Sequence, residues 1–292
     1  MALGHSLTGA VLDRAYDFAG YRFRVVSDVE DAAGLAEDLL KQFEAAAKEG
    51  APTYAMLRVP DVGDRYTFHR GNECLLDESR AYPAAMVDLL LSDVTSKAIE
   101  AQDDFLVVHA SVASWSGRGI LMPAATGSGK TTTVAGLVRA GFDYLSDEAA
   151  LVSASTAIVH PFPRPLAMGA HSASLVNGLL DELPADYHEP MRRQQYYIPC
   201  DLVRAGSAGG PCPVAYVVSP SYSRGSVTEI EPMSRADALT LLAGQCFNLD
   251  RHASHGLSLL AEVVKGAGCF TLRIGDLSSA VSRVKELVGF DK

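Results

Sequence analysis

Residues 118–141, RGILMPAATGSGKTTTVAGLVRAG, pass from an apolar strand-like hexad through Ala, Gly, Ser and Thr into a helix-forming segment. A buried strand that turns sharply into a helix leaves the first helical N–H groups without partners. Gly127 and Gly129 let such a turn tighten around whatever anion satisfies them. Lys130 and Thr131 then stand where a loop of this kind holds an ammonium for outer phosphates and a hydroxyl for Mg²⁺. The unit predicts an α/β fold with a nucleotide site for ATP and Mg²⁺. Ala124, Thr126, Gly127, Ser128 and Gly129 form its loop; Lys130, Thr131 and Thr132 open its helix. Ala124 occupies the position where glycine usually begins the motif, which is tolerable if its φ need not be positive.

Seventeen residues beyond Lys130, room for one helix and one strand, come Asp147 and Glu148. Ligands in open α/β sheets collect outside the carboxyl ends of strands. Adjacent acids there can divide the work, Asp147 accepting a proton from an incoming hydroxyl and Glu148 helping to hold the metal. An exposed acidic turn is the plain alternative. His109, closing FLVVH, precedes the loop strand by one hairpin. A lone histidine on an apolar strand is as a rule a satisfied core residue, so the residues alone leave its role open.

Around this centre the chain reads as two parts, a small α/β subdomain over residues 1–80 and a larger domain over 81–292. YRFRVVS alternates as a strand, and Ser27 with Glu30 has the spacing of a capping box before a helix that aligns Leu35, Leu39 and Phe43. PTYAMLRVP and RYTFHRG read as a hairpin. A helix opening at Pro83, with Met86, Leu90, Val94 and Ala98 on one face, leads to the second part. FDYLS, PVAYVVSP and CFTLRI read as strands, and Ser234 caps the helix RADALTLLAGQ. Two further helices, around LSLLAEVVK and LSSAVSRVKELV, flank CFTLRI. RAGSAGGPCP reads as a connector, with a mobile lid as the alternative.

A net charge of −10 supplies no cationic field for nucleic acid or anionic lipid, so neither is expected as a partner. No apolar run reaches the ~20 residues that span a bilayer, and the first residues have neither a basic start nor a long apolar centre. A cytoplasmic location follows as the expectation. Cys74, Cys200, Cys212, Cys246 and Cys269 are odd in number and lack any C-x-x-C pair, so they read as buried free thiols.

The run HASVASWSGRGILMPAATGSGKTTTVAGLVRAGFDYLSDEAALV resembles the HPr kinase/phosphorylase family in its order of histidine, hairpin, phosphate loop and acidic pair. HPFPRPLAM, QQYYIP and PMSRADALTLL extend a weaker likeness to HPr-kinase-related proteins over residues 105–290. The resemblance implies a P-loop kinase core of that type. It casts Asp147 as the proton-accepting aspartate, His109 as an active-site histidine, Lys130 as the phosphate lysine and Thr131 as the metal-binding hydroxyl. The family segment E-[IV]-R-G-[LM]-G is missing here. PFPRPL stands in its place, with Arg164 as the arginine counterpart. The implied activity is transfer of the γ-phosphate of ATP to a serine or threonine hydroxyl of a peptide or small protein. A small-molecule hydroxyl, or ATP binding without transfer, are the alternatives. Members of the family form ring-like homo-oligomers, although this sequence carries no assembly signal of its own.

Overall fold

The computed structural model describes residues 9–60, 65–79, 83–183 and 195–290, and the chain forms two compact units that divide between Ala101 and Gln102. The first is a five-stranded sheet, β1 (Leu12–Phe18), β2 (Tyr21–Ser27), β3 (Thr53–Arg58), β4 (Arg65–Arg70) and β5 (Glu73–Ser79), paired in chain order. Only β2 and β3 run parallel, and a parallel pair needs a crossover, which α1 (Glu30–Leu40) provides. Helix α2 (Pro83–Glu100) completes this unit and buries Met86, Leu90, Val94 and Ala98 as their spacing predicts. The DVGD turn of the expected hairpin lies outside the described residues.

Two local expectations fail here. Ser27 and Glu30 form no capping box. Helix α1 starts behind Val29, and the fully buried Ser27 hydroxyl donates to Met56 O at 3.0 Å while accepting the Val29 N–H at 3.1 Å. Met56 O also accepts the Asp28 N–H at 3.3 Å, and a hydroxyl buried between the strands is satisfied there without turning to a solvent-facing cap. Among the cysteines, all free thiols, Cys200, Cys212 and Cys269 are buried, but Cys74 is exposed and Cys246 only half-buried.

The second unit is mixed α/β. Its strands are β6 (Phe105–Trp115), β7 (Arg118–Pro123), β8 (Asp143–Ser146), β9 (Ala149–Ser153), β10 (Ile158–His160), β11 (Leu166–Gly169), β12 (Gln195–Ile198), β13 (Cys212–Tyr222), β14 (Glu229–Pro232) and β15 (Gly268–Ile274). Its helices are α3 (Lys130–Arg139), α4 (Ala170–Leu175), α5 (Leu179–Glu182), α6 (Cys200–Val203), α7 (Arg235–Gly244), α8 (Leu249–Gly266) and α9 (Leu277–Val288). The main sheet has the order β10-β9-β6-β7-β13-β15-β14, with β7, β13 and β15 parallel. Strand β10 also pairs with β13, so Val159 sits between Val152 and Cys212 and five strands close on themselves. Leu106, Val108, Val112, Leu121, Val152 and Val217 belong to the core of this unit. Gly119 permits the closure, because a Cβ there would stand 3.1 Å from both Cys212 Sγ and Pro213 O. No helix among the described residues is long and apolar enough to cross a membrane.

Two connections position the site. Strands β8 and β9 line the same edge of β6, Ser146 pairing with Val112 and Ala149 with His109, so Asp147 and Glu148 fall at the join. RAGSAGGPCP is a packed connector: Tyr144 N–H donates to Ser207 O at 2.7 Å, Gly209 N–H donates to Tyr144 O at 2.8 Å, and Ser207 is fully buried.

The residues between α7 and α8 hold β6 along its other edge. Gln245 O accepts the His109 N–H at 2.8 Å, and Phe247 N–H donates to Val107 O at 2.8 Å. Buried Asn248 accepts the Val107 N–H at 2.9 Å and donates to Phe105 O at 2.9 Å and Gln102 O at 3.2 Å. Asn248→Ala would orphan these buried backbone groups, each worth about 1–3 kcal/mol when left unsatisfied. Urea denaturation should therefore find Asn248→Ala at least ~1 kcal/mol less stable than wild type. A variant as stable as wild type would mean that water replaces the amide.

Candidate active site

A glycine-rich turn joins β7 to α3. Between Pro123 and Lys130 the chain turns with Gly127 at φ +83° and Gly129 at φ +94°, a left-handed conformation that glycine adopts without penalty. Ala124 is not among the residues of positive φ, so alanine replaces the usual glycine without backbone strain. Ala125, Thr126 and Gly127 are exposed at the tip, while Ser128, Gly129, Thr131 and Thr132 are half-buried. Ser128 Oγ is a buried polar atom with no hydrogen-bond partner, and the first N–H groups of α3 lack intrahelical acceptors. These are the features an oxyanion ligand would satisfy.

Lys130 is 6% exposed, and its ammonium donates to Ala124 O at 2.6 Å and Ala125 O at 3.0 Å. It also lies 3.1 Å from His109 Nε2. An ammonium can only donate, so Nε2 accepts and the imidazole proton belongs on Nδ1, which faces Glu148 O at 3.2 Å. Burial, and next the Lys130 charge, push the His109 pKa down against the opposing pull of Glu148. Burial also lowers the pKa of Lys130, opposed by Glu148 and Asp147. The structure thus brings His109, Lys130 and Glu148 together. The half-exposed Phe247 ring packs edge-on against His109 with centroids 5.5 Å apart, a neighbour with no signal in the sequence.

The two acids differ sharply. Ser146 Oγ accepts the N–H groups of Glu148 and Ala149, which fixes the turn that carries the two acids. Asp147 is 1% exposed. Its Oδ1 accepts Arg164 Nε at 2.9 Å and Tyr144 OH at 3.2 Å, and its Oδ2 accepts Ala167 N–H at 3.2 Å and lies 3.4 Å from Arg164 Nη2. Glu148 keeps a side chain 32% exposed, with Oε2 3.3 Å from Arg164 Nη2 and Oε1 3.5 Å from His109 Nδ1. Burial works against the Arg164 charge, but Asp147 and Glu148 outweigh it and raise its pKa. The carboxylate with room for a new partner is Glu148. Asp147, read from the sequence as the proton acceptor, already has both oxygens engaged. Tyr144, three residues before Asp147, shares its one hydroxyl proton between Asp147 Oδ1 and the closer Arg164 O at 2.8 Å, and the sequence reading overlooked it.

Among the described residues no group of three or more His, Cys, Asp or Glu is placed to hold a metal ion. The arrangement suits Mg²⁺ nonetheless, because that ion usually takes one or two protein oxygens and completes its shell with phosphates and water. Thr131 and Glu148 are the oxygens that the sequence offers for it.

No family model and no curated protein matches the sequence. Among solved structures, the Hpr(Ser) kinase/phosphatase from Coxiella burnetii aligns over 64% of this chain and 99% of its own, at 9% identity and a TM-score of 0.31. A likeness that distant carries no argument about roles, which rest on the geometry above.

The Arg164–Asp147 pair is open to a direct test. Removing one partner of a buried ion pair strands the other charge, at about 3–5 kcal/mol. Arg164→Met should lose stability on that scale in urea denaturation, and Arg164→Met combined with Asp147→Leu should recover most of it. A single variant as stable as wild type would show that Asp147 does not depend on Arg164.

Proposed function

We propose that the chain is an ATP- and Mg²⁺-dependent kinase of the HPr-kinase-like type, transferring the γ-phosphate to a serine or threonine hydroxyl of a peptide or small protein. The observation that carries this reading is the convergence of Lys130, His109 and Glu148 beside a glycine loop whose conformation suits a phosphate chain. Positioning and charge neutralisation supply most of the catalysis in such transfers. In this reading the loop N–H groups and Ser128 Oγ hold the phosphates. Lys130 exchanges its contacts with Ala124 O and Ala125 O for the outermost phosphate. Mg²⁺, when bound, neutralises phosphate charge, and Thr131 is the hydroxyl that would hold it. The acceptor oxygen bonds to phosphorus as the bond to the leaving ADP oxygen breaks, and the hydroxyl proton passes to a carboxylate.

Glu148 is the group we assign to that proton, with Asp147 fixing Arg164 beside it. His109, neutral and with its proton on Nδ1, orients Glu148. The free thiols suit the reducing cytoplasm. A second reading, a protein that binds ATP without transferring it, draws support from the engagement of Asp147 by Arg164.

Binding should raise the melting temperature by mass action, by the equivalent of ~2.7 kcal/mol at a hundred times Kd. Lys130→Ala should abolish the shift, and a wild-type protein that does not respond to millimolar Mg²⁺·ATP would end the nucleotide reading. Incubation with γ-labelled ATP and a serine/threonine peptide library then separates the alternatives, since label moves to peptide, to a metabolite or nowhere. General-base assistance is worth ~10² to 10⁴ in rate, so Glu148→Gln should lose transfer in that range and keep ATP affinity. Full activity in Glu148→Gln, together with a folded but inactive Asp147→Asn, would return the role to Asp147. Loss of nucleotide affinity in Glu148→Gln would make Glu148 a metal ligand instead.

A further inference from the structure

The loop has two flanks. Strand β7, which delivers it, has β6 on one edge and β13 on the other. On the β6 side stand Lys130, His109 and Glu148. On the β13 side the loop meets the carboxyl ends of the parallel strands β13 and β15, the last residues of which are Tyr222 and Ile274. A Cβ on Gly129 would stand 3.6 Å from Tyr222 Cβ and 3.8 Å from Ile274 Cδ1, so both side chains flank the start of α3.

Tyr222 is fastened to the loop and yet leaves its ring in the open. Its N–H donates to Ser128 O at 3.1 Å, and the next residue's N–H, from Ser223, donates to Ile274 O at 2.9 Å. The loop that follows is equally fixed. Ser226 N–H donates to Ser223 O at 3.1 Å, and Thr228 Oγ1 accepts the Gly275 N–H at 2.9 Å. Gly275 allows that approach, since a Cβ there would lie 1.9 Å from Ser226 O. The Tyr222 side chain nevertheless remains 47% exposed. An aromatic residue with a pinned backbone, an exposed ring and a phosphate loop as its neighbour has the properties of a stacking platform.

We propose that Tyr222 is the platform on which the purine ring of the bound nucleoside triphosphate stacks. The inference rests on the nucleotide reading of the loop and adds to it a site for the base. A phosphate chain with its terminal group at Lys130, on the β6 side, runs along the start of α3 and carries the nucleoside toward the ends of β13 and β15. Ligands of parallel α/β sheets occupy that edge. Stacking uses the π face that every purine has, so Tyr222 contributes affinity for ATP and GTP alike and leaves the choice between them to other groups.

The test compares Mg²⁺·ATP with Mg²⁺·tripolyphosphate, which has the phosphates and no base, by calorimetry on the full chain. Tyr222→Ala should bind ATP roughly tenfold to a hundredfold more weakly, the usual range for losing one stacked base, and bind tripolyphosphate as wild type does. Tyr222→Phe should keep wild-type affinity for both. Tyr222→Leu, which retains bulk without a π face, should behave as alanine does and serves in its place if alanine unfolds the loop. Unchanged ATP affinity in the alanine and leucine variants would overturn the proposal, as would equal losses for both ligands, which would make Tyr222 a support of the loop. A wild-type protein that binds both ligands while Tyr222→Ala is without effect loses only the base site. One that binds neither loses the nucleotide reading and the base site together.

Discussion

The arrangement around the loop depends on one buried ion pair, Asp147 with Arg164. Two charges removed from water must recover their lost solvation from each other and from fixed dipoles. Here the recovery comes from Tyr144 OH and Ala167 N–H on the carboxylate, and from Glu148 as a second anion beside the guanidinium. Those contacts tie together the join of β8 and β9, the PFPRPL segment and the start of β11. They also decide which acid is available. Asp147 is committed to holding the segments together, which leaves Glu148 facing His109 with its side chain partly in solvent.

Charge balance follows from the same cluster. Lys130 and Arg164 are set against Asp147 and Glu148, and His109 is kept neutral by burial and by the Lys130 charge. A site with no net charge holds a triphosphate poorly without a divalent cation, because the added negative charge has no local counterpart. The proposed requirement for Mg²⁺ thus has a physical basis in the side chains and not only in the loop motif. Lys130 is satisfied by carbonyls of its own loop, and the proposed binding would exchange those hydrogen bonds for phosphate oxygens.

Much of the framework was legible locally. The hexad RGILMP, the glycines at 127 and 129 and the helix after them carry their geometry in consecutive residues, and the structure has each where expected. The helix from Pro83, the Ser234 cap and the hairpin of β3 and β4 were legible for the same reason, since periodicity and capping act over a few residues. Strands β1 and β5 were not read, their alternation being broken by charged residues that make cross-strand ion pairs, Arg24 with Asp13 and Arg65 with Asp77. Ser27 was misread because its partner, Met56 O, lies on another strand.

The sequence by itself determined that a glycine-rich turn joins a strand to a helix, that an acidic pair follows one strand later, and that a histidine precedes both. Each is a short-range pattern whose physics is complete within the segment. Only the tertiary structure distinguished the two acids. Asp147 and Glu148 are neighbours with the same chemistry, and nothing local distinguishes them. Arg164, seventeen residues on, pairs with both, but it buries Asp147 completely and leaves Glu148 partly in solvent, because a buried charge must find an opposite one and the fold brings that partner to Asp147. Phe247, from the segment between α7 and α8, and Tyr222, at the end of β13, come beside the site in the same way from more than ninety residues away in sequence.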